Sequence, residues 1–146
     1  MRLDSDDYAR ALFEAEPRRI SGLTESDFPE ESGIYMFSEG EDVMWIGRAE
    51  QGIRQRVFKH QLLGGRRSWL PIGKNGKTRQ QMGCSLVLWI AKERIQERLD
   101  MANPDHKVQW RAAVDRVFKM DIRWLILPAV GAERAAKQRR KPRYGR

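Results

Sequence analysis

The sequence predicts an α/β domain of the α+β type: a small three-stranded, mostly antiparallel sheet flanked by helices and carrying a helical insertion. Three observations lead there. Two short apolar runs, Gly33 to Phe37 and Val43 to Gly47, enclose the polar, glycine-containing stretch Ser38 to Asp42, which is the pattern of a hairpin. A third run, Asp121 to Pro128, is almost continuously apolar, as a central strand covered on both faces should be. The segments around these runs carry apolar residues at helical spacing. With 146 residues the chain reads as one domain: 1–31 an N-terminal helix and lead-in, 64–119 a loop and helical insertion, 129–146 a closing helix and basic tail.

Taken in order, Leu3 to Ala15 is expected to be a helix. Asp4 or Ser5 can cap it, acids sit in its first turn, and Tyr8, Ala9, Leu12 and Phe13 form its apolar stripe before Pro17. Arg18 to Glu31, with Thr24, Ser26, Asp27 and Pro29, reads as irregular lead-in. After the hairpin, Gly52 to Leu63 places Ile53, Val57, Phe58 and Leu62 on one helical face. Gly64 to Arg79 holds four glycines, a proline and five cations with no acid, and reads as a loop. Gln81 to Asp100 is expected to be helical through Leu88, Ala91, Ile95 and Leu99. A break at Asn103-Pro104 follows, with Asp105 as the expected cap of a helix from His106 to Phe118 whose face is Trp110, Val114, Val117 and Phe118. His106 is expected at the surface. Val130 to Lys141 reads as the closing helix.

The single cysteine, Cys84, excludes an internal disulfide framework and lies in an apolar context that suits a buried, inert thiol. The N-terminus is too acidic and polar for a signal peptide, and no apolar run approaches bilayer length, so a cytoplasmic protein with no membrane partner is expected. The formal net charge is +8 and is unevenly placed: the first 42 residues lean acidic, whereas Arg134 to Arg146 contains seven cations and no carboxylate. Clustered positive charge of this kind points to a polyanionic partner, most simply nucleic acid. The candidate contacts are Arg66, Arg67, Trp69, Lys74, Lys77 and Arg79 in the loop, and Lys137, Arg139, Arg140, Lys141 and Arg143 in the tail. Trp69 fits two readings equally, stacking on a base or folding back on the core.

Arg56 and His60 stand four apart and leave the same side of one helix, beside the hairpin that carries Tyr35. A phosphate-handling surface fits this spacing; so does the solvated side of an amphipathic helix. Glu133, the only acid after Asp121, equally suits the N-terminal dipole of its helix.

Gly33-Ile34-Tyr35, Trp45-Ile46-Gly47, Arg56 and His60, followed by Glu133 and Pro142-Arg143-Tyr144, occur in the order and at separations that resemble the GIY-YIG nuclease family. The resemblance spans about Ser32 to Tyr144, interrupted by the insertion. It implies a metal-dependent endonuclease acting on DNA, with RNA as another candidate substrate, and it implies Mg²⁺ or Mn²⁺ held by Glu133. The implied catalytic set is Tyr35, Arg56, His60 and Glu133, supported by Trp45, Gly47 and Arg48. Arg56 would clamp phosphate oxygens, His60 would relay a proton, and Tyr35 would help activate water. Two positions depart from the family pattern: Trp45 replaces the second motif tyrosine and removes its hydroxyl, and Gly145 stands where an asparagine usually follows. The alternative these departures raise is a catalytically weakened or inactive nucleic-acid-binding module on the same fold.

Overall fold

A computed structural model describes residues 4–63, 71–72, 77–78, 86–100, 102–126 and 131–145. The first element is α1, Ser5–Glu14, which begins at a reciprocal cap: the Asp4 side chain accepts from the Asp7 backbone N–H and the Asp7 side chain from that of Asp4. The short strand β1, Arg18–Arg19, and two 3₁₀ turns, Ile20–Gly22 and Glu25–Asp27, lead to the hairpin. Its strands are β2, Gly33–Glu39, and β3, Asp42–Ala49, longer at the turn end than the apolar runs suggested. Helix α2, Arg54–Leu63, winds with π geometry. Two two-residue strands, β4 (Pro71–Ile72) and β5 (Lys77–Thr78), pair antiparallel within the stretch expected to be loop alone. Then come α3, Leu86–Ile95; α4, Pro104–Phe118; β6, Asp121–Ile126; and α5, Gly131–Arg139.

The main sheet is antiparallel and has four strands rather than three, in the order β1-β6-β2-β3. The additional strand is β1. Arg18 and Arg19 carry no apolar alternation, and they are extended because they pair with Ile122 and Asp121. The edge strand β3 is covered by the tail, where the Arg143 and Tyr144 backbone N–H groups donate to the Val43 and Met44 carbonyls at 3.0 and 3.1 Å.

Register assigns the two faces of the sheet, because cross-strand partners point the same way. Tyr35 opposes Gly47 and Trp124, and Phe37 opposes Trp45 and Ile122. These residues form one core with Ile53 just before α2, Val57 and Leu62 of α2, Leu86, Val87, Ile90 and Ala91 of α3, and Trp110, Ala113, Val114 and Val117 of α4. The helices of the insertion therefore complete the hydrophobic interior on this face. The other face carries Ile34, Met36 and Ile46 and packs on Ala9 and Leu12 of α1 and Ala132 and Ala136 of α5. Small alanines let α5 approach the sheet closely.

Two expectations about α4 are corrected. Its cap is Asn103, whose side chain accepts from the backbone N–H groups of Asp105 and His106, with Pro104 in the first turn. His106 is 2% exposed and not a surface residue. Its Nδ1 accepts from the Asp100 backbone N–H at 2.9 Å, which leaves the proton on Nε2 to face the Glu97 carboxylate. The imidazole thus fastens the α3–α4 connection. Among the described residues no helix is long and apolar enough to cross a membrane. Arg66, Arg67, Trp69, Lys74, Arg79, Cys84, Pro128 and Val130 lie outside the described residues, as does the side chain of Lys77.

Candidate functional site

The site forms where β3 ends and the chain turns over the sheet edge into α2. Gly52 makes the turn at φ +116, in the left-handed region that favours glycine. The start of α2 is then pinned to the lead-in. The Ile53 and Arg54 backbone N–H groups donate to the Glu31 and Pro29 carbonyls at 2.9 and 2.8 Å, and the Arg54 guanidinium donates to the Phe28 carbonyl and the Glu30 carboxylate. Arg56 and His60 are thereby held at fixed height above the end of β3.

They line one cleft of about 440 Å³ together with Arg48, Glu50, Gln51 and Gln55. The Nε of Arg56 is buried and makes no hydrogen bond among the described residues. A buried donor left without an acceptor costs roughly 1–3 kcal/mol. Arg48 belongs to the opposite side of the sheet, since it opposes Ile34, yet on an edge strand its long side chain also reaches the cleft. Its Nε lies 3.4 Å from Glu50 and 3.5 Å from Glu133.

Glu133 rises from α5, on the face away from Tyr35, and is joined to the cleft over the edge of β3 through Arg48. Its side chain is 19% exposed and both oxygens are occupied: Oε2 by Arg48 and Oε1 by Lys137 at 3.0 Å, one turn further along the helix. Arg48, Arg56 and His60 thus share a cleft; Glu133 and Tyr35 do not line it, Glu133 standing on the opposite face of the sheet from Tyr35 and ion-paired to Arg48. The Tyr35 ring is 1% exposed and occupies the space a side chain on Gly47 would fill. Its Oη accepts from Gln61 Nε2 at 3.2 Å. Gly47 and Gln61 are the chain neighbours of the cleft residues Arg48 and His60, but Tyr35 itself does not line the cleft.

Gln61 is a site residue that the sequence reading missed. It is 1% exposed, and its Oε1 accepts from the Leu86 backbone N–H at 3.0 Å. The signal was present: Gln61 follows Ile53 and Val57 at four-residue steps, a single amide within an apolar stripe. Trp45 packs in the core beside Tyr144, and its indole N–H is buried without a partner among the described residues. Burial raises the Tyr144 phenol above its ordinary value, and the nearby Glu93 carboxylate adds to the effect.

Among the described residues no three His, Cys, Asp or Glu side chains gather into a metal-binding group. The donors at hand are Glu133 and Glu50, which share one arginine. A hard divalent ion such as Mg²⁺ takes one or two protein carboxylates and completes its shell with water and phosphate oxygens. Both carboxylates are ion-paired with Arg48 here, and Glu133 with Lys137 as well, so neither stands free for an ion.

No protein-family model, curated protein or solved structure matches this chain. Fold and site define an antiparallel α+β protein with a cationic cleft at the end of its edge strand, one of whose arginines is ion-paired to a glutamate on the far face of the sheet.

Proposed function

We propose that the protein is a metal-dependent endonuclease of GIY-YIG type that hydrolyses phosphodiester bonds in DNA. The observation that carries this reading is the shared cleft of Arg48, Arg56 and His60, with Glu133 held to it by Arg48. Two guanidiniums and an imidazole form a surface for a phosphate. Arg48 releases Glu133 and Glu50 when it transfers to a phosphate oxygen. Glu133, assisted by Glu50, would hold Mg²⁺ or Mn²⁺. Such an ion, when bound, stabilises the charge that develops on the phosphate and the leaving oxygen. His60 relays a proton at the cleft wall, and the Tyr35 hydroxyl, packed against Gly47, donates a hydrogen bond to the bound phosphate.

A second reading, a nucleic-acid-binding module with weak or no catalysis, has its own support. Glu133 is neutralised by two cations, and Trp45 provides no hydroxyl. One experiment separates the two. Supercoiled plasmid is incubated with the protein and Mg²⁺ or Mn²⁺, with an EDTA control, and DNA affinity is measured in parallel. The nuclease reading expects nicking that needs the divalent ion and disappears in Glu133→Ala while affinity stays near the parent's. Equal nicking by Glu133→Ala removes the assignment. Salt-sensitive binding without cleavage under any divalent metal selects the second reading.

A further inference from the structure

The geometry points to Gln61 as a positioning residue that sets the direction in which the Tyr35 hydroxyl presents its proton. The Leu86 backbone N–H donates to Gln61 Oε1 at 3.0 Å, which fixes the orientation of the amide, because only an oxygen can accept there. The amide nitrogen must then face the phenol, and Nε2 donates to Tyr35 Oη at 3.2 Å. With that lone pair engaged by a donor, the phenol's own proton is available to an acceptor elsewhere. The hydroxyl lies against Gly47, the chain neighbour of Arg48, and its donor Gln61 is the chain neighbour of His60; Arg48 and His60 both line the cleft. The acceptor that fits is a phosphate oxygen bound in that cleft.

Gln61 is 1% exposed, so both of its bonds are made away from competing solvent. Leu86 begins α3, the first described helix beyond the stretch 64–85. The placement of that helix therefore dictates the polarity of a hydroxyl at the far end of the amide. An apolar residue at 61 would fill the same core position, so packing alone does not call for an amide here. The assignment of catalytic work to Tyr35 rests on the nuclease reading; the direction of its proton does not.

The test uses the full chain labelled with ¹³Cζ-tyrosine, with the Tyr35 resonance assigned by its loss in Tyr35→Phe. Inorganic phosphate is titrated into the parent and into Gln61→Glu, which keeps the shape and the acceptor for Leu86 but replaces the donor facing the phenol with a carboxylate oxygen. The Tyr35 resonance is expected to move with phosphate in the parent and to stay fixed in Gln61→Glu, where the phenol proton is spent on the carboxylate. Should Gln61→Glu fail to fold by circular dichroism, Gln61→Met, similar in volume and without a donor, takes its place; the response to phosphate is then expected to be smaller than in the parent, because nothing holds the phenol proton in one direction. Absence of a phosphate response in the parent, or an equal response in parent and variant, overturns the proposal. These outcomes require no cleavage, so they stand apart from the fate of the nuclease reading. Where the parent nicks plasmid, the variant is expected to lose about tenfold or more in kcat with KM within about twofold, the signature of a misdirected group rather than a lost binding contact.

Discussion

The Tyr35 ring occupies the volume that a side chain on its cross-strand partner Gly47 would need: a Cβ built on Gly47 overlaps the phenol Oη and Cζ. The two glycine-bearing runs of the hairpin are thus interlocked, the aromatic of one strand filling the gap left by the glycine of the next. Gly47→Ala is expected to cost about 1–3 kcal/mol through overpacking, measured by denaturant unfolding. Adding Tyr35→Phe should recover part of the loss, since the Oη overlap disappears while that with the ring carbon remains. A Gly47→Ala protein as stable as the parent would show that the phenol can move aside freely.

The same logic joins the two positions that depart from the GIY-YIG pattern. Gly145 adopts φ +66, and a Cβ there would lie 2.6 Å from Trp45 Cζ3. The indole's six-membered ring occupies the room that a larger residue at 145 would need. Gly145→Asn is therefore expected to destabilise the parent by about 1–2 kcal/mol from the left-handed backbone and the overlap together. In a Trp45→Tyr background the penalty should shrink by at least about 0.5 kcal/mol in a double-mutant cycle. Additive effects would mean that the two positions are independent.

Why some of this was legible in the residues and some was not has a physical basis. Strands β2, β3 and β6 were readable because apolar runs bounded by turn residues need no distant partner to be recognised. Strand β1 was not, because Arg18 and Arg19 are extended only by pairing with β6, a contact more than a hundred residues away in sequence. The proline rule at Asn103-Pro104 could have identified the α4 cap, since proline favours the first turn and asparagine the position before it. The burial of His106 could not be read from a lone histidine at a helix start, because it depends on the Asp100 N–H and Glu97 folding over it. At the site, the shared side of Arg56 and His60 followed from their spacing. The position of Glu133 across the edge of the sheet, and its ion pair with Arg48, depended on how α5 packs.

The acid sensitivity of the fold should have an identifiable contributor. Arg116 donates to both Glu39 oxygens at 2.8 Å, and these hydrogen bonds, followed by the guanidinium charge, hold the Glu39 carboxyl below its ordinary 4.5. A depressed folded value means that the stabilisation is present above the unfolded value and is lost as pH falls through the folded one. Because the Glu39 side chain is 40% exposed, solvent screening limits the effect to on the order of 1 kcal/mol or less. Glu39→Gln should be slightly less stable than the parent at neutral pH and should lose less stability on acidification below about pH 4.5. Parallel pH–stability curves for the two proteins would contradict this.

The cations of the tail are not equivalent, and this gives the sharpest test of the nucleic-acid partner. Lys137 is held by Glu133, the Arg140 guanidinium donates to the Glu41 carbonyl over the Phe13 ring, and Arg143 pairs with Glu93 above Tyr144. Arg139 and Lys141 are exposed and have no partner among the described residues. Neutralising a phosphate contact lowers the dependence of log K on log salt by about 0.9 per contact on duplex DNA. Arg139→Ala with Lys141→Ala should therefore reduce the salt slope by up to about 1.8, at a stability within about 0.5 kcal/mol of the parent's, because neither side chain holds another. Arg143→Ala should do the reverse, releasing the tail side chain from Glu93 of α3 and lowering stability while changing the slope little. If the double variant binds DNA with the parent's slope, or Arg143→Ala alone carries the loss, then the exposed tail cations are not the phosphate contacts and the duplex must be gripped elsewhere.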